Sequence, residues 1–125
     1  LAARLGGDFI TSKLVPLSTG VDLVGASVEL AGGQKTDIRR KWQRGAARHF
    51  IPAKEGVIRR IFVPEEAYGL EGVEEVVFYK KAGERAAGTK SSNDRVGHFI
   101  SSADTPKKAM ETGEKVLRLI QVEWE

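Results

Sequence analysis

Arg95-Val96-Gly97-His98-Phe99-Ile100-Ser101, and then Thr105-Pro106-Lys107-Lys108-Ala109, place a strand-like run directly ahead of the clearest helix start in the chain. Threonine caps a helix through its side-chain oxygen, and proline suits the first helical position, where its missing N–H is not needed. Ala109, Gly113, Val116 and Leu117 then fall on one helical face, and Ile120, Val122 and Trp124 alternate as a closing strand.

Upstream of this unit the period is again two. Glu75 to Lys80 reads as a strand, Lys81-Ala82-Gly83-Glu84 as a turn, and Arg85 to Asp94 is polar and weakly patterned. Pro64-Glu65-Glu66-Ala67 reads as a short helical turn with acids at its positive end. Ala47 to Ile51 and Val57 to Phe62 are strand-like runs on either side of Pro52-Ala53-Lys54-Glu55-Gly56, which reads as a hairpin connection.

Nearer the N-terminus, Val21, Val24, Val28 and Ala31 recur at helical spacing before Gly32-Gly33, with Ser18 and Thr19 available as caps. Phe9 to Leu17 is an apolar segment, strand or short helix, in which Pro16 limits any helix to a short one. Leu5-Gly6-Gly7-Asp8 is a glycine-rich turn. Two helical segments, then strands, a helix and a strand imply an α+β fold: an antiparallel sheet with helices packed on one face. Three parts follow: residues 1–33, a basic connecting loop over 34–45, and an α+β subdomain over 46–125.

Composition bounds the class but names no reaction. A chain of 125 residues with 41% hydrophobic and 30% charged residues has room for one compact core and is neither disordered nor membrane-like in composition. No apolar run approaches the roughly 18 residues of a membrane span. The absence of cysteine removes thiolate chemistry and makes the cytoplasm the default compartment. The chain begins on Leu1 rather than methionine, as expected of a piece of a longer polypeptide. The net charge of +3 is mild, with acids interleaved among the bases nearly everywhere outside residues 39–44, which argues against nucleic acid as a partner.

A self-contained catalytic centre is not legible. His49 and His98 are the only histidines, each alone in a strand-like run, so the residues propose no metal site. No nucleophile elbow, phosphate-binding loop or dinucleotide fingerprint is present. Arg39-Arg40-Lys41-Trp42-Gln43-Arg44 is the densest basic cluster. It reads as a solvated loop with Trp42 as an anchor, or as the contact of a non-catalytic α+β module with an anionic partner.

Ala3-Arg4-Leu5-Gly6-Gly7-Asp8-Phe9-Ile10 and Leu17-Ser18-Thr19-Gly20-Val21-Asp22-Leu23 change this picture. In order and spacing they resemble the end of the catalytic domain of ATP-grasp carboxylate–amine ligases. Ala46-Ala47-Arg48-His49-Phe50-Ile51-Pro52, Gly56-Val57-Ile58, Gly72-Val73-Glu74-Glu75-Val76, Arg95 to Ile100 and Asp104-Thr105-Pro106 resemble the C-terminal subdomain of L-amino-acid ligases. The resemblance covers nearly the whole chain and assigns 1–33 to the tail of the catalytic domain and 46–125 to that subdomain.

The resemblance implies ATP-dependent joining of a small-molecule carboxylate to an amine through an acyl phosphate, with ATP and Mg2+ used by the full-length enzyme. It places Arg4 as the catalytic arginine on the transferred phosphate and reacting carboxyl, a role suited to a permanently charged, bidentate donor. Gly6 and Gly7 would border the substrate pocket, and Asp8 would lie near the substrate amino acid or cap a helix. The family's metal-binding glutamate would precede Leu1, and Ala2 stands where many relatives carry an asparagine ligand, so no metal is expected in this chain. With the nucleotide-clamping strands also upstream, the chain alone is expected to be inactive, to hold no cofactor and to partner the remainder of the enzyme. A purely structural subdomain or a dimer contact is the third reading, and assembly into a homo-oligomer stays open.

Overall fold

The computed structural model of the chain describes residues 4–125. Leu1, Ala2 and Ala3, including the expectation on Ala2, lie outside the described residues. Phe9 to Leu17 resolves as helix: a single π-helical turn, Ile10–Leu14, runs into α1, Val15–Thr19, with Pro16 in the first turn. α2, Leu23–Ala31, follows and is capped by Asp22, whose Oδ1 accepts from the Gly25 N–H at 2.9 Å. Ser18 and Thr19 therefore do not start this helix. Their hydroxyls turn back into α1 and donate to the Leu14 and Val15 carbonyls, the local competition hydroxyl residues offer the backbone.

Among the described residues, six strands then form two antiparallel three-stranded sheets. β1, Gly45–Ile51, and β3, Val73–Phe78, flank β5, Gly97–Ala103. β4, Arg85–Ala87, and β6, Gln121–Trp124, flank β2, Glu55–Phe62. α3, Glu65–Gly69, is the short helical turn after Pro64, and α4, Pro106–Leu119, carries the Thr105 cap, whose Oγ1 accepts from the Lys108 N–H at 3.2 Å. The proposed β1–β2 hairpin does not form. β1 pairs along its whole length with β5, Gly45 opposite Ala103 to Ile51 opposite Gly97, while β2 joins the other sheet. A five-residue connector between strands permits a hairpin but does not require one, and burial of the β1 side chains in the first sheet decides the outcome.

The two-residue period sorts the first sheet into two faces. His49, Phe99 and Ser101 face α4: the His49 ring stacks on Phe99 with centroids 4.8 Å apart, and the Ser101 hydroxyl donates to the Ala109 carbonyl at 2.7 Å. Gly113 is required there, since a Cβ would lie 1.9 Å from His49 Nε2. The core gathers Ile51, Ala53, Ile58, Ala86, Val96, Phe99 and Val116, with Phe78, Val122 and Trp124 packed against it, so that both sheets share one apolar interior. Arg48, Phe50, His98 and Ile100 lie on the opposite face, which takes the N-terminal helical segment. The helical period of residues 21–31 does not bury its whole apolar side. Val21 and Ala26 are buried, whereas Val24, Val28 and Leu30 face outward.

Candidate functional site

The glycine turn folds onto the N-terminal helix before it meets the sheet. The Ile10 N–H donates to the Gly7 carbonyl at 3.0 Å, and the Thr11 hydroxyl, on a buried residue, donates to the Gly6 carbonyl at 3.1 Å. Gly6 is tight, because a Cβ there would stand 3.2 Å from Thr11 Oγ1; at Gly7 a Cβ would meet nothing within 4 Å. Gly6 thus serves the fold of the turn, and Gly7 leaves a bare backbone facing outward. Arg4 is exposed and donates from Nη1 to the neighbouring Leu5 carbonyl at 3.2 Å.

Asp8 and Phe9 follow in the left-handed region, with φ of 56° and 62°. Side chains with a Cβ adopt this region at a cost, so two consecutive residues there need support from outside the turn. Arg48 on β1 supplies it. Its Nη1 lies 2.7 Å from the Asp8 carbonyl oxygen and 2.8 Å from Asp8 Oδ1, so one guanidinium branch holds both backbone and side chain. The guanidinium lies over the Phe9 ring at 4.8 Å and the Phe50 ring at 4.7 Å, and the Arg48 side chain is only 6% exposed. Asp8 therefore makes no side-chain helix cap; its carboxylate is engaged by Arg48.

From Arg48 a hydrogen-bonded chain continues inward. Nη2 donates to the Tyr79 phenol oxygen at 2.7 Å, and that hydroxyl lies 2.5 Å from Nδ1 of the fully buried His98. With Arg48 donating to its oxygen, the phenol donates to Nδ1, which leaves the imidazole proton on Nε2, 3.3 Å from Glu75 Oε1. Glu75 in turn pairs with Lys13 of the N-terminal helix at 3.1 Å. Phe9 stacks on the His98 ring with centroids 5.0 Å apart. Two ion pairs and one ring stack thus tie the segment carrying Arg4 to the sheet of the C-terminal subdomain. Asp8, Phe9, Arg48, Tyr79, Ser92 and Asn93 line a cavity of about 250 Å3 beside this junction.

The electrostatics follow from burial. Desolvation, reinforced by the Arg48 charge, lowers the pKa of His98 and outweighs the opposing pull of Glu75 and Asp8. His49 is lowered for the same first reason, burial under α4. Burial of Glu75 acts to raise its pKa, but Lys13 and His98 together hold it below the ordinary value. A histidine kept neutral in the folded state binds fewer protons than in the unfolded chain, so stability falls as pH drops below about 6.5 and through the lowered folded-state pKa. Thermal melts should therefore be flat above neutrality and fall on acidification, and His98→Gln should shallow the decline. A melting temperature that rises between neutrality and pH 5 would contradict this assignment.

Among the described residues no three His, Asp or Glu side chains converge as metal ligands. The basic loop is drawn onto α1: Trp42 Nε1 donates to the Leu17 carbonyl at 3.0 Å, and the Lys41 and Arg44 N–H groups donate to Thr19 and Ser18 carbonyls. Arg39 spends its charge on Asp37 at 2.9 Å and Arg40 donates to Gln43. Trp42 is thus the loop's anchor.

Sequence reasoning proposed Arg4, Gly6, Gly7 and Asp8 as site residues, which lie consecutively apart from Leu5; Arg48 and Glu75 entered only within stretches resembling the family, and Tyr79 and Lys13 were given no role. The available signal was Arg48 itself, a permanent charge inside a strand-like run between Ala47 and His49.

Known proteins share the family and the fold of this chain. The family model described as L-amino acid ligase C-terminal domain 2 matches residues 48–125. An uncharacterized protein, y4rH, of Sinorhizobium fredii (strain NBRC 101917 / NGR234) is 31% identical over 100 residues, covering 74% of this chain and 21% of that protein. The crystal structure of an L-amino acid ligase from Bacillus licheniformis superposes with a TM-score of 0.77 at 18% identity, over 98% of this chain and 31% of the ligase. Phosphoribosylglycinamide synthetase from Anaerococcus prevotii gives 0.76 at 17% identity, over 98% and 32%. The chain thus spans about a fifth to a third of the length of these relatives.

Proposed function

Since the chain belongs to the L-amino acid ligase C-terminal domain 2 family, we propose that it is the C-terminal part of an ATP-dependent carboxylate–amine ligase that works through an acyl phosphate. The family match over residues 48–125 carries this reading. In such a reaction a carboxylate oxygen takes the terminal phosphoryl group of ATP, ADP leaves, and an amine displaces phosphate from the acyl carbon. ATP and Mg2+ would be held by the rest of the polypeptide, where Mg2+ neutralises charge on the phosphates. This chain supplies Arg4, which would steady the phosphoryl oxygens and the reacting carboxylate, and the Gly6–Gly7–Asp8 wall beside them.

The exposed apolar residues support a covering body of this kind. Leu5, Ile10, Val24, Val28 and Leu30 all lie in the N-terminal segment and are 39–69% exposed, more apolar surface than a short segment gains by leaving in water. They would pack against the catalytic body. The decisive assay is ADP release by the polypeptide that joins this chain to an ATP-grasp body. Release should require both a carboxylate and an amine, and hydroxylamine should trap the acyl phosphate. ATP turnover indifferent to both substrates would reject the reading.

A further inference from the structure

We propose that Arg48 of the C-terminal sheet is the positioning residue of the site: it holds Asp8 and Phe9 in their left-handed conformation and so sets the turn that carries Arg4, Gly6 and Gly7. The inference rests on the ligase reading above and assigns the C-terminal subdomain a part in the reaction beyond covering the catalytic body.

The geometry is that of a clamp. One nitrogen reaches both the carbonyl and the carboxylate of Asp8, at 2.7 and 2.8 Å, while the other reaches Tyr79 at 2.7 Å. A planar guanidinium divides its branches in this way, whereas an ammonium carries its donors on one atom and lacks the fixed fork that spans the two partners. Rings on two separate elements, Phe9 of the turn and Phe50 of β1, fix the plane of the guanidinium, and Tyr79 is itself seated on buried His98. Among the described residues Arg48 Nε is buried without a partner. That orphan is informative. Burying a charge with one donor unsatisfied is a poor way to add stability, because desolvation offsets most of the pairing energy. Holding a strained turn in one orientation is what such a group does well.

The strain supplies the direction of the effect. Asp8 and Phe9 left unclamped would relax toward negative φ, since a Cβ disfavours the left-handed region. Relaxation at Asp8 swings the backbone of Gly7 and Gly6, and Arg4 lies only two residues before Gly6. A displacement of about 1 Å at a positioned group costs on the order of tenfold to a hundredfold in rate.

The test uses the ligase polypeptide that contains this chain. The parent must first show carboxylate- and amine-dependent ADP release; if it does not, the ligase reading fails and the clamp is not what was disproved. With an active parent, Arg48→Lys is expected to lower kcat about tenfold or more and raise the carboxylate KM, with the KM for ATP unchanged. Asp8→Asn should lower kcat in the same sense, and the Arg48→Lys/Asp8→Asn double variant should be no worse than the poorer single one, because both break one contact. A residue that only stabilised the fold would lower the melting temperature and leave kcat and the carboxylate KM intact well below it. That result, or strictly multiplicative losses in the double variant, overturns the proposal. Should Arg48→Lys fail to fold, Tyr79→Phe removes one hydroxyl and keeps the ring. It should then show the same split at smaller size, and wild-type constants in both Tyr79→Phe and Asp8→Asn overturn the proposal equally.

Discussion

Arg4→Lys in the proposed ligase is expected to slow turnover about a hundredfold, the loss typical when one donor is withdrawn from a developing oxyanion. The melting temperature should not move, because Arg4 is exposed and, among the described residues, its side chain bonds to the adjacent Leu5 carbonyl. Lysine keeps the positive charge, so the loss isolates the second, parallel hydrogen bond that a guanidinium gives to a carboxylate or phosphate. Steady-state kinetics with carboxylate and amine saturating separates kcat from binding. An Arg4→Lys enzyme with parental kcat would mean that the arginine motif is misaligned and that Arg4 is a surface residue.

The second large effect concerns the fold. Phe99→Ala should destabilise the protein by about 3–5 kcal/mol, the range for removing a buried aromatic from a close-packed core. Phe99 has no exposed surface, sits in the cluster shared by both sheets, and carries the stacked His49 ring on which α4 rests. A domain of this size has about 5–15 kcal/mol in total, so the variant should show a much lower denaturant midpoint or fail to accumulate folded. A loss below about 1 kcal/mol in urea unfolding would show that the core collapses around the void, contrary to the packing described.

How far the residues alone led differs from element to element. α4 was legible in its start, set by Thr105 and Pro106, and in its face of Ala109, Gly113 and Val116, which act within a few residues of one another, but Leu117, read onto that face, is 40% exposed. The short helical turn after Pro64 and strands β3, β5 and β6 were legible for the same reason. β4 was not, because its residues 85–87 lie in a polar stretch and become a strand only by pairing with Glu55 to Val57. The start of α2 was misplaced because hydroxyl and carboxylate residues compete for one role: Ser18 and Thr19 bonded backward and Asp22 took the cap.

The site divides along the same line. The Arg4–Gly6–Gly7–Asp8 set was proposable from a motif because its members are close in sequence. Its support was not, since Arg48, Tyr79, His98, Glu75 and Lys13 come from separate elements and meet only across the second face of the sheet. Asp8, expected near a substrate or at a helix cap, has its carboxylate on Arg48 in the folded chain.

By itself the sequence determined the α+β class, the α4 unit and the likeness to ATP-grasp ligases, because periods, caps and motifs are short-range properties of consecutive residues. Tertiary structure alone decided that β1 pairs with β5 rather than β2, and that Arg48 reaches back to Asp8. Those choices depend on which side chains can be buried together across long stretches of chain, a comparison of whole arrangements that no local window contains.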